Sequence, residues 1–213
     1  MSQDLTSLDY DQIARRGGDA AMRQLGRFFM KEGEVYEALR AIAKKLDELN
    51  IPYAIAGGMA LNVHGYRRAT EDVDVLVTQD GLTKVHQALD GLGYVPPFPG
   101  SKQLKDTQNR VRIEFLVTGQ FPGDEKPKPV AFPDPAAVSV DVEGIHYINL
   151  TTLLELKLAS GLTSPGRLKD LADVQELIKV LSLSRDLAQQ LNPYVQQKYL
   201  ELWSDSKEDP HAT

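Results

Sequence analysis

The residues best spaced for chemistry are acids. In "DVDVLV" Asp72 and Asp74 sit one residue apart inside an apolar run. An extended strand alternates its side chains, so both aspartates face one way while Val73 and Val75 face the other. Their Cα atoms then lie roughly 6 to 7 Å apart, near enough for both carboxylates to serve one cation cluster. Glu114 has the same phase in "NRVRIEFLVTG", between Ile113 and Phe115. If the two strands are neighbours, three carboxylates converge on one patch. Carboxylates off water are costly unless something pairs with them. Three hard oxygen donors suit Mg²⁺ (with Mn²⁺ as the alternative), and water and phosphate oxygens complete the shell.

Upstream, the strand-like "PYAIAG" runs into Gly57-Gly58 and then a short helix, "MALNVHG", ending at Gly65. Glycines at a strand-to-helix turn admit close backbone approach, and a helix N-terminus offers N–H groups and a favourable dipole to phosphate. Metal-holding acids beside such a cradle describe a nucleoside-triphosphate site for phosphoryl or nucleotidyl transfer. Neither piece is specific alone: most D-x-D pairs are exposed strand ends, and most Gly-Gly pairs are only turns. Their order along the chain carries the reading.

The elements that must position these residues follow from periodicity. Val35, Leu39, Ile42, Leu46 and Leu49 recur at helical spacing in "EGEVYEALRAIAKKLDELN", closed by Asn50 and Pro52. "GLTKVHQALDGLG" predicts a helix with Leu82, Val85, Leu89 and Leu92 on one face. "YVPPFPGSKQLKDTQ" is a Pro/Gly-rich connection of undefined form, and "FPGDEKPKPVAFPDPAA" reads as a surface loop. "VSVDVEGIHYINL" predicts two short strands around Glu143-Gly144, and three helical stretches follow, the last broken or kinked at Pro193. The expected fold is α/β (α+β), a mixed sheet flanked by helices with a helical C-terminal part. The expected divisions are an arm over 1–32, a core over 33–150, the helical part over 151–204 and a disordered tail over 205–213.

Composition narrows the class. The chain has 213 residues, 42% hydrophobic and 25% charged, enough for one sizeable core. A net charge of -6 argues against a surface that is wholly a nucleic-acid footprint, although a local basic patch stays open. With no cysteine, disulfides, thiolate metal sites and thiol nucleophiles are excluded. No apolar run approaches the roughly 20 residues of a membrane helix, and the polar, acidic start has no apolar leader core, so the expectation is a soluble, cytoplasmic protein without membrane partners.

The stretch "GGMALNVHGYRRATEDVDVLV" resembles the signature of the nucleotidyltransferase superfamily, the polymerase-beta-like fold: a glycine turn, D-x-D, then a third acid. In wording it is similar to the AbiEii-type toxin branch, as is "LLELKLASGLTSPGRLKDLADVQELI" with its lysine helix and R-x-K-D-x-x-D helix. The resemblance runs from about Ile51 to Ile178. It implies that Gly57 and Gly58 hold the triphosphate of an NTP and that Asp72 and Asp74 bind magnesium. Glu114 would complete the metal site or take the proton of an acceptor hydroxyl, although family members often carry aspartate there.

Arg68 and Thr70 fall within the motif, with Arg68 either reaching the triphosphate or standing on a loop surface. Lys157, set among Leu154, Leu156 and Leu158, suggests a nucleotide or acceptor contact, whereas Asp173 suggests a structural pair with a basic neighbour. His64 reads as a capping or packing residue, His86 as helix surface and His146 as a strand residue.

The resulting function is transfer of a nucleoside monophosphate from an NTP to an acceptor, with pyrophosphate released. The toxin resemblance implies RNA or protein as acceptor, with any antitoxin a separate chain. Aminoglycoside and lincosamide nucleotidyltransferases share the layout and imply a small cationic molecule. Arg67, Arg68, Lys102, Lys105 and Arg110 could form a basic rim for RNA. A non-catalytic nucleotide-binding or antitoxin-like member is the alternative of a different class.

Overall fold

The structure is a computed structural model that describes residues 33–208. The expected arm over 1–32 and the last part of the expected tail, 209–213, lie outside the described residues. Helix α1 (Glu34–Glu48) buries Leu39, Ile42 and Leu46 on one face. It ends where Asn50 turns left-handed (φ 52) and Ile51 N–H donates back to the Leu46 carbonyl, a Schellman closure. Strand β1 (Tyr53–Ile55) is buried throughout and leads into α2 (Gly57–Val63). Then come β2 (Asp72–Val77), α3 (Gln79–Leu89), β3 (Tyr94–Val95), β4 (Gln103–Asp106) and β5 (Arg112–Val117).

A short helix α4 (Pro135–Val138) precedes β6 (Ser139–Val142) and β7 (Ile145–Ile148), which are joined at Glu143 and Gly144, both at positive φ. The chain closes with α5 (Leu150–Thr163), α6 (Leu168–Val180) and α7 (Pro193–Glu208), which pack on one another. The seven strands make one mixed sheet in the order β3-β4-β5-β2-β1-β7-β6. The fold is thus the expected α/β sheet with a helical C-terminal part. Among the described residues, no helix is long and apolar enough to cross a membrane.

The burial of β2 and β5 follows the alternation read from the sequence. Val73, Val75, Ile113 and Phe115 are buried, while Asp72, Asp74 and Glu114 stand on the other face. The strands are parallel neighbours in a register that opposes Asp74 to Glu114 and Asp72 to Arg112.

Several expectations need correction. The connection of undefined form contains β3 and β4, an antiparallel pair completing the sheet edge. Leu92 lies beyond α3 and is 76% exposed, because Gly91 and Gly93 turn the chain left-handed on either side of it. His86 is no surface residue: its ring contacts Asp90 and the Ser101 carbonyl, fastening α3 to the loop before β4. The proline-rich segment expected at the surface folds inward, burying Val130 and the stem of Lys128, whose ammonium donates to the Pro122 carbonyl and Thr163. Pro193 starts α7, where its missing N–H costs nothing. That helix continues to Glu208, past the expected limit at 204.

Candidate functional site

The glycine turn is shaped by what lies against it. Gly57 has φ +56, and a Cβ there would fall 1.7 Å from Asp74 Oδ2. Only glycine both adopts that conformation cheaply and leaves the carboxylate room. A Cβ on Gly58 would meet the Thr70 side chain at 2.7 Å. Thr70 in turn donates its hydroxyl to Asp72 Oδ1 at 2.8 Å, so the turn, the threonine and the first aspartate lock together. Ala56 caps α2 without any side-chain bond, which leaves first-turn N–H groups of α2 without a cap at Gly57-Gly58.

Asn62 was not foreseen. Its amide donates to the Gly58 and Arg68 carbonyls at 2.8 Å each, and its carbonyl accepts from Arg68 N–H. It thereby clamps the loop leading into β2 onto α2. Its only sequence signal was an asparagine inside a helix, a residue type that competes for backbone groups.

The three acids share a face but not an environment. Asp72 accepts from Arg112 Nη2 at 2.5 Å as well as from Thr70. Burial works to raise its pKa, but the bonds from Arg112 and Thr70 outweigh that and hold its carboxyl below the usual range. Among the described residues, no side chain donates to the carboxylates of Asp74 or Glu114. Burial, then the charges of Asp72 and Glu114, push the Asp74 carboxyl up to about 7. Close carboxylates that raise one another's pKa in this way are a donor set that a cation would neutralise. The donor set therefore fits a hard divalent ion. Among the described residues, however, no three acids or histidines are gathered tightly enough to hold a metal as they stand, and Asp72 is paired with Arg112.

Opposite the sheet, α5 and α6 form the far wall of a cleft of about 460 Å³. Lys157, 7% exposed, bonds Asp170 Oδ1 at 2.9 Å and Asp173 Oδ2 at 2.7 Å. Arg68 Nε lies 3.1 Å from Asp173 Oδ1, an ion pair without the alignment of a hydrogen bond. Ser160 donates to Asp170, whose carboxyl is held low by Lys157 against its burial. Lys157 and Arg68 thus line the cleft with their charges already engaged, whereas Arg167 and Lys169 line it exposed. Gly57, Gly58, Thr70, Asp72, Asp74 and Glu114 all line the same cleft. His64 contacts the Ile148 carbonyl, away from the acids. A second cavity of about 490 Å³, between α1 and the β6–β7 turn, contains none of the three acids.

Residues 38–126 match the family model for aminoglycoside-2''-adenylyltransferase, and that stretch holds both glycines and all three acids. Solved structures of nucleotidyltransferase-type proteins are distant in sequence. An antigenic nucleotidyltransferase-like protein from Paracoccidioides brasiliensis is 21% identical over 80% of this chain and 91% of that chain, with a TM-score of 0.47. A putative nucleotidyltransferase from H. pylori is 19% identical over 80% of this chain and 91% of its own, with a TM-score of 0.44. The antibiotic-resistance factor ANT(2'')-Ia is 14% identical over 76% of this chain and 91% of its own, with a TM-score of 0.49. A comparison with curated protein sequences gave no match.

Proposed function

We propose that this chain is a magnesium-dependent nucleotidyltransferase that moves a nucleoside monophosphate from an NTP to an acceptor. The observation that carries this is the parallel β2–β5 register, which stands Asp74 beside Glu114 with Asp72 on the same face. Asp72 and Asp74 would hold Mg²⁺, and Glu114, on the outer strand of the pair, takes the acceptor proton. The glycine turn over Gly57 and Gly58 receives the triphosphate. Arg167 and Lys169, exposed on the opposite wall, face its oxygens. Thr70 orients Asp72, and Lys157 with Arg68 holds the α5–α6 wall in place rather than binding nucleotide directly.

In the transfer, the acceptor hydroxyl oxygen bonds to the α-phosphorus while the bond from that phosphorus to the bridging oxygen breaks. Pyrophosphate leaves with the bridging oxygen, and the hydroxyl proton passes to Glu114. Bound Mg²⁺ would neutralise the triphosphate charge and make the acceptor oxygen more nucleophilic. Arg112 engages one oxygen of Asp72, a carboxylate that would hold the metal.

The family-model match favours a second reading, a small-molecule acceptor of the aminoglycoside kind. The AbiEii-type wording of the motif favours RNA or protein, with a separate antitoxin. The test is incorporation of label from each α-labelled NTP into RNA, protein or small molecules of a cell lysate, with pyrophosphate measured in parallel. Magnesium-dependent label with equimolar pyrophosphate supports transfer. NTP binding without either product supports a non-catalytic nucleotide-binding member.

A further inference from the structure

Asn62 is half-buried near the end of α2. It does not line the cleft and borders the second cavity instead. Its amide donates to the Gly58 and Arg68 carbonyls at 2.8 Å each, and its carbonyl accepts from Arg68 N–H at 3.1 Å. Both donors are used, and the reversed amide would set N–H against N–H and oxygen against oxygen, so only one orientation fits. Arg68 is thereby paired through its N–H and its carbonyl, as a neighbouring strand would pair it. At the start of the loop, Gly65 N–H and Tyr66 N–H donate to the Asn62 and Leu61 carbonyls. Arg67 and Ala69, on either side of the clamped residue, are exposed. Two residues beyond Arg68, Thr70 lies against Gly58 and donates to Asp72 Oδ1. In the other direction the Arg68 guanidinium reaches Asp173 Oδ1 at 3.1 Å on α6. Asn62 thus stands at a branch: one path runs through Thr70 to the first aspartate, the other through Arg68 to the far wall.

We propose that Asn62 is a positioning residue for nucleotide binding. It touches neither nucleotide nor metal and acts through the loop it clamps. By fixing Arg68 against Gly58 it sets how Thr70 meets the glycine turn, and so where the Asp72 carboxylate points. The same bonds set where Arg68 ties the loop to α6, and so how the two walls of the cleft stand to one another. An asparagine that merely closed the end of α2 would need only the Gly58 carbonyl, four residues back. The two bonds to Arg68 serve no helix; they serve the loop. Side chains that orient the groups holding a ligand commonly change its affinity tenfold or more without touching it. The identity of the ligand rests on the nucleotidyltransferase reading, while the clamp itself can be tested without one.

The experiment is titration calorimetry of each of the four NTPs with Mg²⁺ into the full chain, for wild type, Asn62→Ala and Val63→Ala, at a temperature where all are folded. Val63, the next residue of α2, packs against the core and takes no part in the clamp, so its truncation lowers stability without releasing Arg68. Alanine is the better helix former, so Asn62→Ala does not weaken α2 through propensity. Asn62→Ala should weaken Mg²⁺–NTP binding about tenfold or more, while Val63→Ala should stay within about twofold of wild type. Wild-type affinity in Asn62→Ala, or equal losses in both variants, overturns the positioning role. The clamp is read separately by amide exchange without nucleotide. In the wild type Arg68 N–H should exchange about tenfold or more slowly than in an unfolded chain, and Asn62→Ala should lose that protection. An unprotected Arg68 amide in the wild type overturns the proposal. If Asn62→Ala fails to fold, Asn62→Asp, which keeps the acceptor and loses both donors, takes its place in the same titrations. A wild type that protects Arg68 but binds no NTP refutes the nucleotidyltransferase reading, and a role for Asn62 in nucleotide binding falls with it.

Discussion

Neutralising Asp74 should stabilise the metal-free protein, and only at higher pH. Its carboxyl titrates near 7 in the folded chain against an ordinary 3.8, first because it is buried and then because Asp72 and Glu114 face it. Between those values the folded state binds a proton that the unfolded state has lost, so this group's contribution falls as pH rises from about 4 through about 7. Roughly three pKa units correspond to up to about 4 kcal/mol. Asp74→Asn carries no charge to desolvate and removes that dependence. Urea unfolding of both proteins in EDTA, from pH 4 to 8.5, gives the difference directly. The variant should match the wild type near pH 4 and exceed it by up to about 4 kcal/mol above pH 8. A difference that stays flat across the range, or that favours the wild type at pH 8, would refute the idea that this acid is held without a counter-ion.

Further expectations come from neighbouring residues. Gly57→Ala, whose Cβ would fall on Asp74 Oδ2, should lower the melting temperature by several degrees more than Gly144→Ala, where φ is +79 and nothing lies within 4 Å; equal costs would show that only backbone conformation matters at Gly57. Lys157→Met should destabilise the nucleotide-free protein by up to about 3 kcal/mol, since it takes the shared ammonium from Asp170 and Asp173 and leaves them only Ser160 and Arg68, whereas a lysine kept only for nucleotide would leave the melt unchanged. In Arg112→Gln the Asp72 carboxyl should titrate at higher pH by carbon-detected NMR, because its shortest donor is gone; an unmoved titration would show Thr70 sufficient. Glu114→Gln should leave the metal-free melt equal or higher while greatly reducing transfer, and wild-type transfer would make Glu114 an ordinary surface residue.

The parts of the site that sequence made legible are those where one strand's alternation sufficed. Asp72, Asp74 and Glu114 could be put in phase from their apolar neighbours, and their meeting needed only the pairing of β2 with β5. The two glycines announced a turn, but not that Gly57 makes room for Asp74 or that Gly58 abuts Thr70. Such contacts join residues 12 and 17 positions apart through tertiary packing. Lys157 drew notice because a lysine among leucines needs a partner. That the partners are Asp170 and Asp173 depends on how α6 folds back on α5. Arg112 alternates with Ile113 in the sequence, and only the parallel register sets it against Asp72. The β3–β4 edge was hidden because its strands are two and four residues long and embedded among prolines and glycines.

The most direct test of the central claim is chemical unfolding of the wild type, Asp72→Asn and Asp74→Asn, with NTP at 100-fold its Kd, in Mg²⁺ and in EDTA. If the acids hold the metal that holds the triphosphate, the wild type should gain about 2.7 kcal/mol in Mg²⁺ and little in EDTA, and both variants should gain little in either. A gain in the wild type that survives EDTA, or one that either variant keeps in full, would contradict a metal-dependent nucleotide site at Asp72 and Asp74.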